Sequence, residues 1–127
     1  MSVKDVIDEI KNYMKTFEEL KKELEERRDK LKRELTSLMK KAEEMKILER
    51  VCVRIGRSCS IEACYVGIRV SRGVMVLDEG APKLYLIDGC NVSIVDPDTS
   101  DMYEALLRLR DLTAQAVKQL SELLENL

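Results

Sequence analysis

From Val3 to about Glu49 the chain holds neither Gly nor Pro, and apolar residues return at every seventh position: Val3, Ile10, Phe17, Leu24, Leu31, Leu38 and Met45. A seven-residue apolar period is the stripe of a coiled coil, because it keeps one face of a slightly underwound helix turned toward a partner. The second seam position reads Ile7, Met14, Lys21, Arg28, Leu35, Ala42 and Glu49, so it is apolar at first, cationic in the middle and mixed afterwards. Leu20 partly covers the cationic gap. Opposite charges at helical spacing on the other faces, such as Glu18 with Lys22 and Glu26 with Lys30, add about 0.2–0.5 kcal/mol per pair.

Composition changes at Arg50. All five glycines lie between Val51 and Asp96, among short β-branched runs separated by turn signals, the pattern of an antiparallel meander. The expected strands are Val51–Ile55, Glu62–Val70, Val74–Asp78, Lys83–Ile87 and Asn91–Val95. A four-residue loop at Glu79–Pro82 would set Asp78 opposite Lys83 and Leu77 opposite Leu84, both favourable cross-strand pairs. Alternation then gathers Val66, Ile68, Val70, Met75, Leu77, Leu84, Leu86, Val92 and Ile94 on a core face. Tyr65, Val74, Val76, Tyr85 and Ile87 fall on the other. After Pro97, the cluster Asp98, Thr99, Ser100 and Asp101 reads as a helix start. From there Met102, Leu106, Leu109, Thr113, Ala116, Leu120, Leu123 and Leu127 step by four and three.

The expected fold is therefore α+β: a long antiparallel coiled-coil helical hairpin carrying a small five-stranded antiparallel sheet. It divides into an N-terminal helix (1–50), a β region with four cysteines (51–97) and a C-terminal helix (98–127) packing back on the first, one domain overall. In the hairpin, Thr99 lies near Glu49 and Arg28 near Leu120 and Glu122. The returning helix is shorter than the first, which leaves Val3, Val6, Ile7, Ile10, Tyr13, Met14, Phe17 and Leu20 without an intrachain partner. These residues are the candidate oligomer interface, and the expected partner is a second copy of the chain, most simply in a dimer, with another protein beside it.

Several function classes are disfavoured. The longest apolar runs, Val74–Leu77 and Leu84–Ile87, are far too short for a bilayer span, and the first dozen residues are too charged for a signal peptide, so a cytoplasmic protein with no membrane partner is expected. There is no His to act as a base, no nucleophile elbow, P-loop or dinucleotide fingerprint, and hence no expected enzyme activity or cofactor. Arg54, Arg57, Arg69 and Arg72, with Tyr65 and Tyr85, are the weak candidates for a nucleic-acid platform. The 22 basic and 24 acidic residues nearly cancel, which removes the electrostatic funnel such a platform needs and makes a solubilised sheet the plainer reading.

Cys52, Cys59, Cys64 and Cys90 all fall in the strand region. Zinc usually takes two close cysteine pairs, which these spacings do not provide. A disulfide or buried free thiols are the alternatives. Lys, Glu and Arg are plentiful whereas Asn and Gln together number five, a bias typical of hyperthermophiles, whose cytosol tolerates disulfides. If the first hairpin centres on Ser58, Cys52 faces Cys64, Val53 faces Ala63 and Arg54 faces Glu62. The neighbouring register would instead pair Val53 with Cys64 and turn every side chain over.

The order of parts, an N-terminal coiled-coil helix, strands and a returning helix, resembles that of a prefoldin subunit. The resemblance implies strands that assemble into an oligomerisation barrel and helical arms that hold unfolded clients. The function expected is a non-catalytic oligomeric scaffold, assembly factor or chaperone-like module, with a nucleic-acid-associated regulator as the rival. Peptide mapping of protein purified without reductant should find Cys52 joined to Cys64. Four alkylatable thiols would refute this, and a stoichiometric zinc signal would revive the metal reading.

Overall fold

The computed structural model describes residues 2–54, 62–88 and 90–127. In chain order the elements are α1 (Val3–Glu44), β1 (Glu49–Arg54), β2 (Glu62–Val70), β3 (Gly73–Asp78), β4 (Ala81–Asp88), β5 (Asn91–Val95) and α2 (Thr99–Glu125). The strands form one antiparallel sheet in the order β1-β2-β3-β4-β5. The chain divides into two compact units, Met1–Leu31 and Lys32–Leu127, so α1 contributes to both.

α1 ends earlier than the unbroken periodicity suggests. Lys46 takes a left-handed backbone (φ 60°), the Lys46 N–H donates to the Glu43 carbonyl, and the Ile47 N–H reaches back to the Ala42 carbonyl. This is a Schellman stop, usually built on Gly. With Lys in that place the sequence carries no stop signal, and β1 begins at Glu49 rather than Val51.

Two turns are tighter than expected. β3 and β4 join through Glu79 and Gly80 alone, with Asp78 opposite Ala81, Leu77 opposite Pro82 and Val76 opposite Lys83. The predicted facing of Asp78 with Lys83 and Leu77 with Leu84 is thereby corrected. Both turn residues have positive φ, 54° and 79°, the signature of a type I′ turn that matches strand twist. Pro82 is tolerated because β5 pairs only from Leu84 onward, so no ladder bond is asked of its nitrogen. Between β4 and β5, Asp88 faces Asn91 and Tyr85 faces Ile94. One residue fewer in this turn moves Val92 and Ile94 off the predicted core face, as a single-residue slip must.

The core of the larger unit combines three sources. Ile68, Met75 and Leu84 are fully buried on one sheet face, Leu35 and Met39 come from α1, and Met102 and Ala105 come from α2. Burial of each large side chain is worth about 1.5–3 kcal/mol. Val51 and Val74 are buried on the opposite sheet face. Val66, expected in the core, is 55 % exposed, because it lies where β2 has left β3 and pairs with Arg50 of β1.

The antiparallel helical hairpin is not what the contacts describe. Lys32 of α1 reaches Asp96, just before α2, whereas Leu38, Ala42 and Met45 stand across a groove from Leu106, Leu109 and Val117. Within this unit α1 and α2 therefore run in the same sense. Glu49 meets Arg108, well along α2 from Thr99. The reason is that five strands, an odd number of antiparallel passes, return the chain to the end of the sheet from which α2 can start level with the buried turns of α1.

At Gly67 a Cβ would stand 2.1 Å from the Met75 carbonyl oxygen, whereas at Gly80 it would meet open space. Gly67→Ala should therefore lose about 1–3 kcal/mol in urea unfolding by forcing β2 and β3 apart. Gly80→Ala should lose about 1–2 kcal/mol through backbone strain alone.

Candidate functional site

Within the first unit, α1 presents an apolar stripe to solvent. Val3, Val6, Ile7, Ile10, Tyr13, Met14, Phe17 and Leu20 are between 42 % and 77 % exposed, and Leu24 extends the stripe at 64 %. Neighbouring polar side chains are occupied along the helix: Tyr13 donates to Glu9 at 3.1 Å and Arg27 pairs with Glu23 at 2.7 Å. The apolar side chains of the seam are thereby left exposed along this helix.

The larger unit has a matching feature. A groove of about 520 Å³ opens between the last turns of α1 and the middle of α2, floored by Leu38, Ala42, Met45, Leu106 and Leu109, with Lys41 and Arg110 at its edges. Beyond it, Leu120, Leu123 and Leu124 of α2 are 62–73 % exposed. The breadth of the α2 stripe, visible in the sequence, thus splits into a packed first half and a bare second half.

What sets the register of the packed half is a row of polar contacts at helical spacing. Asp101, buried, accepts from Arg72 Nε at 3.0 Å and from a terminal guanidinium nitrogen at 2.7 Å. Its carboxylate also accepts the Asp98 N–H at 2.8 Å, closing the first turn of α2. One turn on, Glu104 accepts from the Ser71 N–H at 2.8 Å and the Ser71 hydroxyl at 2.7 Å. A further turn on, Arg108 binds Glu49, which also accepts the Arg69 N–H at 3.2 Å. Arg72 holds the Asp101 carboxyl below its usual range, Arg108 does the same for Glu49, and the Ser71 hydrogen bonds do so for Glu104. Asp101 was legible as a helix-start residue, but its partner Arg72, 29 positions away, was not.

The arginines considered for nucleic acid do not form one surface. Arg72 is committed to Asp101 and Asp98, Arg54 stands opposite Glu62, and Arg69 lies on the other sheet face, opposite Val74. Arg57 lies outside the described residues. Tyr65 and Tyr85 meet edge to face at 5.0 Å, and Tyr85 donates its hydroxyl to Asp78 at 3.1 Å. Partial burial, with the Asp78 hydrogen bond, raises the Tyr85 pKa.

Cys52 and Cys64 face each other across β1 and β2 with their sulfurs at disulfide distance, 2.16 Å. Cys90 is also disulfide-bonded, and Cys59 lies outside the described residues. Among the described residues the one group of metal-capable side chains is Cys52, Glu62 and Cys64. In the bonded state neither sulfur is a thiolate, the form a metal requires. No helix among the described residues is long and apolar enough to cross a membrane.

No protein-family profile, curated protein or solved structure matches the chain.

Because the Asp101, Glu49 and Glu104 pKa values are lowered on folding, their stabilisation is complete above the unfolded carboxylate range. It is lost as pH falls from about 4 through the lowered values. Thermal unfolding should show Tm falling over that window. Asp101→Asn should cost about 2 kcal/mol at pH 7 and make the acid limb shallower.

Proposed function

We propose that this protein is a non-catalytic oligomeric scaffold, an assembly factor or chaperone-like module, whose α1 stripe joins it to a second copy of itself. The observation that carries this reading is the exposure of eight coiled-coil-spaced apolar residues, Val3 to Leu20. Their combined exposed area is on the order of 800 Å², the share that one partner contributes to a standard protein interface. Leaving such a surface in water would be costly at about 25 cal/mol per Å², and a seven-residue period is suited to another helix of the same period.

The cationic seam positions Lys21 and Arg28 mark where this apolar pairing ends. A polar seam residue lowers stability but sets register and partner number. The interface is therefore concentrated in the first three heptads. The chaperone-like form of the reading, implied by the resemblance to prefoldin subunits, adds capture of unfolded clients to assembly.

Sedimentation at micromolar concentration should show an oligomer, and Ile10→Glu with Phe17→Glu should convert it to a monomer whose circular dichroism retains the strand signal. A wild-type monomer would overturn the proposal. Suppression of aggregation of an unfolded client by the wild type, lost in the double variant, would support the chaperone-like form, and its absence would leave the plain scaffold.

A further inference from the structure

The Cys52–Cys64 pair sits where a structural staple is usually hidden, yet both residues are exposed. β1 is an edge strand of the sheet, with no strand paired along its outer side among the described residues. Strand alternation puts Arg50, Cys52 and Arg54 on one face, neighbours roughly 7 Å apart, and both arginines are exposed. Across from them β2 places Val66, Cys64 and Glu62 in register. The Glu62 carboxylate and the two sulfurs lie within 4.8 Å of one another. The charges on this face from the two strands are thus two guanidinium groups and one carboxylate.

Cationic neighbours and exposure are what make a cysteine pair reactive, because the attacking and leaving species are thiolates. We infer that Cys52–Cys64 is a reversible thiol–disulfide exchange site that reacts with small thiols in the folded protein. The thiolate of a small thiol attacks one Sγ, a mixed disulfide forms, and the Cys52–Cys64 bond breaks with its electron pair on the other Sγ. A second small-thiol thiolate attacks the mixed disulfide, releasing the small-molecule disulfide and the second protein thiolate. Two small thiols are oxidised, the protein gains two electrons, and their two protons end on Cys52 and Cys64. Arg50 and Arg54 act as positioning residues that stabilise the negative charge spread over the sulfurs, and Glu62 opposes it.

The opposing signs give the test. The oxidised full-length chain is incubated with reduced glutathione, quenched by alkylation at intervals and read at the Cys52 and Cys64 peptides by mass spectrometry. Reduction should proceed with the circular dichroism unchanged and reverse on addition of oxidised glutathione. Arg50→Ala with Arg54→Ala should slow it roughly two- to fivefold, the scale of exposed charge effects. Arg50→Lys with Arg54→Lys should restore most of the rate, and Glu62→Gln should raise it by a similar factor. If the alanine variant is unfolded at the assay temperature, the lysine and glutamine variants decide. A rate set by global unfolding in a urea series, or rates that Glu62→Gln lowers or leaves unchanged, would overturn the proposal.

Discussion

The structure of the larger unit hangs on the seating of one helix. Asp101 is a buried carboxylate, and such a group is tolerable only with its oxygens satisfied. Arg72, from the tight turn between β2 and β3, supplies two donors, and the Asp98 N–H supplies a third. Because Asp101 is both a helix-start residue and the partner of a turn residue, the place where α2 begins is tied to the place where β2 ends. Glu104 and Arg108 repeat the tie at successive turns, while Met102, Ala105 and Leu109 on the adjacent stripe are buried. Polar bonds set the register of the helix along the sheet, and apolar burial supplies most of the stabilisation.

That seating divides the surface. The first half of α2 is used internally and the second half keeps an exposed leucine-rich stripe. α1 likewise buries Leu35, Met39 and Ala42 while its first heptads are bare. The chain leaves no buried side-chain polar atom unsatisfied among the described residues, while long apolar seams stay exposed. The proposed scaffold role rests on that contrast, and it requires no catalytic constellation.

The edge strand β1 adds a different chemistry. Exposed edges invite pairing with other chains, and charged residues commonly discourage it. Arg50 and Arg54 serve that purpose on β1. The same charges surround Cys52, so one placement of arginines both protects the edge and sets the electrostatics of the disulfide.

Local signals carried the sequence a long way. The heptad stripe set a long first helix, since only a helix can use a seven-residue apolar period; β-branched runs between turn residues set the five-stranded meander; and a charge pair at Arg54 and Glu62 pointed to the register in which Cys52 faces Cys64. The failures share a cause. The stop of α1 at Lys46 and the I′ turn at Glu79 and Gly80 depend on backbone angles that residue types permit without demanding. The seating of α2 along the sheet depended on where Arg72 and Asp101 meet, 29 residues apart. Periodicity states that a helix has an apolar face, but only the tertiary structure decides what covers it, because that choice is made by contacts between residues distant in sequence.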